Sequence, residues 1–181
     1  ITVADIFTNP SLDMMAARSK NTSAASEDHV PPFSMLEPDW DVIQAKQEVA
    51  SLCQVDQDLV DDIYSCTPLQ EALMALSAKV KEAYVAQRVV KLADAATADR
   101  LIAAFDTAQQ NCPILRTRIV QVRGRGLVQA VMKGKLDCYY GSNLTEYLVS
   151  DRDNDMDLGK PLVRYAVIND SVTGNVSFVL T

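Results

Sequence analysis

Asp62-Ile63-Tyr64-Ser65-Cys66-Thr67-Pro68-Leu69-Gln70-Glu71-Ala72-Leu73-Met74 changes its period in the middle. Ile63 and Tyr64 end a short extended segment. From Thr67 onward each residue suits a helix start. The Thr67 hydroxyl can cap free amides, Pro68 takes the first helical position where its missing N–H costs nothing, and Gln70 can reach back to complete a capping box. Leu69, Leu73, Leu76 and Val80 then recur at helical spacing and predict the buried face of that helix. An extended segment running straight into a capped helix points to a mixed α/β (α+β) class.

The chain downstream keeps alternating between periods. Tyr84 to Leu92, rich in Val, predicts a strand. Thr97 opens a second helix whose Leu101, Ile102, Phe105 and Ala108 face inward, and Pro113 stops it. Ile114 to Val122 alternates apolar residues with Arg and Thr, as a half-buried strand does. Arg123-Gly124-Arg125-Gly126 makes a turn, and Leu127 to Met132 returns as a strand. Leu144 to Val149 predicts a helix. Val163 to Ile168 and Val176 to Leu180 predict two strands around a turn at Asn169 to Asn175. The pattern is antiparallel hairpins flanked by helices.

Upstream, Val42, Val49, Leu52 and Cys53 form a helical stripe beside Trp40 and Ile43. Residues 19–38 lose all periodicity and read as a mobile linker that stiffens at Pro31-Pro32. Phe33, Met35 and Leu36 at its end read as an anchor on the domain that follows. Residues 1–18 read as a short helix bearing Val3, Ile6 and Phe7, a turn at Asn9-Pro10-Ser11, and a second helix start with Leu12, Met15 and Ala16. Eighteen residues cannot bury such faces alone, so they are expected to be the tail of a helical domain in a longer protein.

With 181 residues, 48% hydrophobic and 23% charged, the chain has room for one domain with a core. No run approaches the roughly 18 apolar residues of a spanning helix, so no membrane partner is expected. The net charge of −7 argues against nucleic acid as a partner. Residues 21–62 hold ten acids against the single base Lys46, which reads as a solvated linker or helix face. The four cysteines, Cys53, Cys66, Cys112 and Cys138, lack metal-ligand spacing, and reduced thiols in a cytoplasmic protein are the expectation.

Candidate chemistry is sparse. The only histidine, His29, lies in the linker, so no Cys–His or Ser–His pair can be built on the ordered part. Asp151-x-Asp153-x-Asp155 begins like a calcium loop, but Met156 stands where Gly is needed and Leu162 where Glu is needed. No metal is expected there, and the segment reads as a solvated acidic loop. Gly124-x-Gly126 reads as a hairpin turn. Arg116 and Arg118 would share one strand face, with Arg123 and Arg125 in the turn.

The opening stretch resembles the first signature of condensation domains of nonribosomal peptide synthetases in its fungal form, Tyr-Pro-Cys-Thr-Pro-Leu-Gln-Glu-Gly-Leu, with Ser65 for Pro and Ala72 for Gly. Cys112-Pro113-Ile114-Leu115-Arg116-Thr117-Arg118 resembles the second signature, a Leu-Arg-Thr triplet after a helix. Met156-Asp157-Leu158-Gly159-Lys160-Pro161-Leu162-Val163-Arg164 resembles a later segment of the same family. Residues 1–12 are similar to the end of a peptidyl carrier domain.

The resemblance implies residues 1–18 as the end of a carrier domain, 19–38 as linker, and 39–181 as the N-terminal lobe of a chloramphenicol-acetyltransferase-like condensation fold. It implies a parent that joins carrier-bound aminoacyl or peptidyl thioesters to an amine, in secondary-metabolite biosynthesis. Carrier domains and their thioesters would be its partners. The family's His-His-x-x-x-Asp-Gly motif would follow Thr181, and the Ser bearing phosphopantetheine would precede Ile1. The 181 residues alone are therefore expected to be an inactive, truncated piece with no catalytic residue and no bound cofactor. Arg116 would be structural, pairing with the Asp of that motif. The rival readings are a stand-alone coenzyme A-dependent acyltransferase of the same superfamily and a non-catalytic interaction module.

Overall fold

The structure, a computed structural model, describes residues 3–8, 11–18, 30–80 and 84–181. The chain divides into two units, residues 1–31 and 32–181. The first contains helices α1 (Val3–Thr8) and α2 (Leu12–Arg18). Ile6, Phe7 and Leu12 are exposed on them, as expected for helices too short to own a core. Residues 19–29, most of the anticipated linker, lie outside the described residues, and His29 with them.

The second unit runs through α3 (Val42–Cys53), β1 (Val60–Ser65), α4 (Pro68–Ser77), β2 (Arg88–Leu92), α5 (Ala95–Asn111), β3 (Thr117–Val122), β4 (Gly126–Met132), β5 (Tyr139–Gly141), α6 (Leu144–Asp153), β6 (Tyr165–Asn169) and β7 (Val176–Leu180). A three-stranded antiparallel sheet has the order β1-β4-β3. A four-stranded sheet has the order β2-β7-β6-β5. Its β2–β7 and β7–β6 pairs are antiparallel, and β5–β6 is parallel. Among the described residues no helix is long and apolar enough to cross a membrane.

The small sheet packs against α3. Trp40, Ala45, Val49, Ala50 and Cys53 meet Val60, Ile63, Val120, Val128 and Ala130, and Phe33 and Leu36 pack against this core. Each fully buried Val or Ile here contributes about 1.5–3 kcal/mol. Met35, the third residue of the expected anchor, is exposed. Of the expected α3 stripe Val49 and Cys53 are buried, as is Trp40 beside it, and the rest of the buried face differs. Ala45 and Ala50 are buried, whereas Val42, Leu52 and Ile43 are exposed, because small residues let the helix approach the sheet closely.

The central strands of the larger sheet, β6 and β7, are covered on both faces. Tyr165 and Val167 of β6 meet α5 through Ala98, Leu101, Ile102 and Phe105. Ala166 and Ile168 point the other way, toward Leu144, Tyr147 and Leu148 of α6. A strand buried on both faces reads as a continuous apolar run, which is why Tyr165-Ala166-Val167-Ile168 has no polar alternation.

Several boundaries differ from the sequence reading. The second helix begins at Ala95, because the Asp94 side chain accepts the Thr97 N–H and takes the capping role. Tyr84–Gln87 is not strand, and the strand starts at Arg88. Residues Pro113–Arg116 form a tight 3-10 turn, so the strand begins at Thr117 and Arg116 does not share a strand face with Arg118. The short strand β5 and its parallel pairing were not legible from pattern at all.

Helix α4 starts as its sequence dictates, with the Thr67–Gln70 capping box formed and Pro68 in the first turn. Such a cap contributes about 1 kcal/mol. Its expected buried face is not buried. Leu69 is 69% exposed, Leu76 and Val80 are exposed, and no residue of the helix is fully covered. Periodicity identifies an apolar face but not what covers it. Helix α4 meets the small sheet through a polar contact, from the Gln70 amide to the buried Gln129 at 2.9 Å.

Candidate functional site

A cavity of about 890 Å3 opens beside α4. Glu71 and Met74 of α4, Leu127 of β4, Gln87 just before β2, Arg164 just before β6 and Thr181 just after β7 contribute to its wall. A second cavity, of about 830 Å3, is bordered by Tyr139, Tyr140, Tyr147 and Asn143. Asp151, Asn154 and Arg164 line both, so the Asp151–Arg164 pair forms part of the partition between them.

Asp151 corrects the reading of residues 151–155 as a solvated loop. It lies on α6 and is 5% exposed. The Arg164 Nε donates to Oδ1 at 2.8 Å, and Arg164 Nη2 donates to the Asp151 carbonyl oxygen at 2.8 Å. The Gln87 amide donates to Oδ2 at 2.8 Å, and the Thr181 hydroxyl donates to the same oxygen at 2.6 Å. Burial pushes the Asp151 carboxyl up, but the donors Thr181, Gln87 and Arg164 outweigh it and hold the group below the usual carboxylate range. A signal for this position was present in the sequence. Asp151 continues the inward stripe Leu144, Tyr147, Leu148 at helical spacing, and a carboxylate on such a stripe needs a buried partner.

Arg116 is partly buried, its side chain 10% exposed. Its Nε donates to the Gln109 carbonyl at 2.8 Å, its Nη1 donates to the Met132 carbonyl, and Asp61 lies 3.6 Å away. Arg118 donates to the carbonyls of Cys53 and Gly159 at 3.0 and 3.1 Å. Arg125 pairs with Glu37 and Asp39 and lies over the Trp40 ring, 4.8 Å from its centroid. Three of the four clustered arginines thus serve the fold. So do several acids of the 21–62 segment, since Asp41 caps α3 and Asp62 accepts the Phe33 N–H, in contrast to a merely solvated face.

The four cysteines are free. Burial raises the Cys53 and Cys138 thiols and pushes Cys66 up to about 11, with Glu71 adding to the last. These three are protonated and poorly nucleophilic near neutral pH. Among the described residues no group of three or more His, Cys, Asp or Glu is arranged to hold a metal ion. The Asp151 carboxylate accepts from Arg164, Gln87 and Thr181, so the cluster fixes the geometry of these side chains.

No family model matches the chain. It is 56% identical over 181 residues to the nonribosomal peptide synthetase SIDD of Beauveria bassiana, covering 100% of this chain and 10% of that protein. It is 55% identical over 179 residues to nonribosomal peptide synthetase 1 of Ajellomyces capsulatus, covering 99% of this chain and 10% of that one. The chain therefore spans about a tenth of the length of the curated relatives it matches. Among solved structures, the tallysomycin biosynthesis protein TlmII superimposes with a TM-score of 0.51 at 23% identity, over 65% of this chain and 32% of that one. A mutant of the starter condensation domain of rhizomide synthetase RzmA superimposes with a TM-score of 0.53 at 12% identity, over 76% of this chain and 32% of that one. At these identities the likeness is one of fold.

Proposed function

We propose that residues 39–181 of this chain, which belongs to the fungal nonribosomal peptide synthetases as a segment of about a tenth of their length, are the N-terminal lobe of a condensation domain that forms amide bonds. The observation that carries this reading is end-to-end identity above one half with synthetases, joined to a fold that covers about a third of a condensation domain.

In this reading an amine attacks the carbonyl of an acyl or peptidyl thioester presented by a carrier domain. The C–N bond forms, the C–S bond breaks, and the proton leaving the amine balances the released thiol. Residues 1–18 are the end of a carrier domain, 19–38 link it to the condensation domain, and the reaction takes place in the cytoplasm. The catalytic His motif follows Thr181, and Arg116 supports its loop. The carrier domains hold phosphopantetheine, and the 181 residues alone hold neither the arm nor the catalytic group.

The test is amide transfer in the synthetase that contains this segment. With its flanking carriers loaded with aminoacyl groups, intact-mass measurement is expected to show the joined acyl chain on one carrier and a free thiol on the other. The separate 181-residue chain is expected to show no transfer, and no mass gain with a phosphopantetheinyl transferase. A loaded synthetase that transfers nothing contradicts the condensation reading. Transfer or loading by the separate chain contradicts its inactivity.

A further inference from the structure

We infer that Asp151, Arg164 and Gln87 form a clamp on Thr181 that fixes the direction in which the chain leaves β7, making Thr181 and Asp151 positioning residues for amide formation. The inference rests on the condensation reading, in which the reacting groups follow Thr181.

The sheet register builds the clamp. Strand β7 lies between β2 and β6 and is antiparallel to both. Leu180 pairs with Arg88 on one side and Tyr165 on the other. The next residue, Thr181, is therefore flanked by the residues before those strands, Gln87 and Arg164. Thr181 and Arg164 exchange backbone hydrogen bonds at 2.8 and 2.9 Å. Asp151 reaches in from α6 and joins all three side chains at one carboxylate. The Gln87 amide also lies 3.3 Å from the Leu148 carbonyl, which ties the cluster to the body of the helix.

A cluster needed only for stability could be apolar, because a buried ion pair gains little over packed hydrophobic side chains. Directional bonds do something packing cannot, which is to fix an angle. Here they fix the Thr181 backbone at the wall of the cavity beside α4, next to the Asp151–Arg164 pair that lines both cavities. Amide formation depends on reacting atoms being held in line, and a misplacement of about 1 Å can cost on the order of a hundredfold in rate.

The test uses the synthetase that contains this segment. Thr181→Val keeps the shape of the side chain and removes only its hydroxyl. It is expected to lower kcat for amide transfer about tenfold or more, leave KM for the carrier-bound donor unchanged, and lower the melting temperature less than Asp151→Ala does, because Arg164 and Gln87 still hold the carboxylate. Thr181→Ser, which retains the hydroxyl, is expected to restore kcat. Should Thr181→Val fail to fold, Gln87→Met removes a different donor to the same carboxylate and is expected to show the same split. Unchanged kcat in a folded variant overturns the inference, as does a loss of kcat that tracks melting temperature and is not restored by Ser. An unmutated synthetase that forms no amide overturns the condensation reading first and the inference with it.

Discussion

Asp151→Ala is expected to destabilise the second unit by about 3–5 kcal/mol, the usual cost of removing one partner of a buried ion pair. The substitution leaves Arg164 Nε, the Gln87 amide and the Thr181 hydroxyl without their common acceptor. Arg164 is the costliest of these, since its side chain is only 20% exposed and keeps its charge. Denaturant unfolding at neutral pH measures the loss, and a change below about 1 kcal/mol would place the cluster among ordinary surface contacts.

The same group gives a pH dependence of defined sign. The folded carboxyl lies below its ordinary value. Its contribution to stability is therefore fully present above about pH 4 and fades as pH falls through the lower folded value. The gap between parent and Asp151→Ala should narrow on acidification. A gap that widened below pH 4 would contradict the hydrogen-bonding assigned to Asp151.

Gly159→Ala is the second large effect expected. Gly159 has a φ of +77°, and a Cβ on it would meet the Leu52 carbonyl oxygen at 2.5 Å. The left-handed backbone costs a non-glycine residue about 1–2 kcal/mol. Overpacking against a backbone that cannot step aside adds about 1–3 kcal/mol. The turn cannot simply shift, because the Gly159 N–H donates to the Ile119 carbonyl at 2.7 Å and its own carbonyl accepts from Arg118. A loss of about 2–5 kcal/mol by denaturant unfolding is expected, and a variant as stable as the parent would show that the turn is not seated on α3 as described.

The local signals that held were those in which one residue determines one bond. Thr67, Pro68 and Gln70 specify a helix start without outside help, and the structure contains it. The β6 run is apolar because both of its faces are covered, and it was readable as a strand although not as a central one. Features that depended on a distant partner were misread. The apolar face of α4 was assigned to a core that does not cover it. Asp151 was placed in a loop because the helix expected from Leu144 ends at Val149; its stripe position was legible, but its partners Arg164, Gln87 and Thr181 were not, since only the sheet register brings them together. Arg116 was anticipated as a structural residue through family resemblance, while its acceptors, the carbonyls of Gln109 and Met132, depend on a turn that period alone cannot show.

The measurement that bears most directly on the whole account is the sequence of the transcript beyond the codon for Thr181. The proposed condensation reading predicts an in-frame continuation with His-His-x-x-x-Asp-Gly within the twenty codons that follow the one for Thr181, after the strand Val176–Leu180. A stop codon at that point, or an open frame without histidine over the next twenty codons, would contradict it.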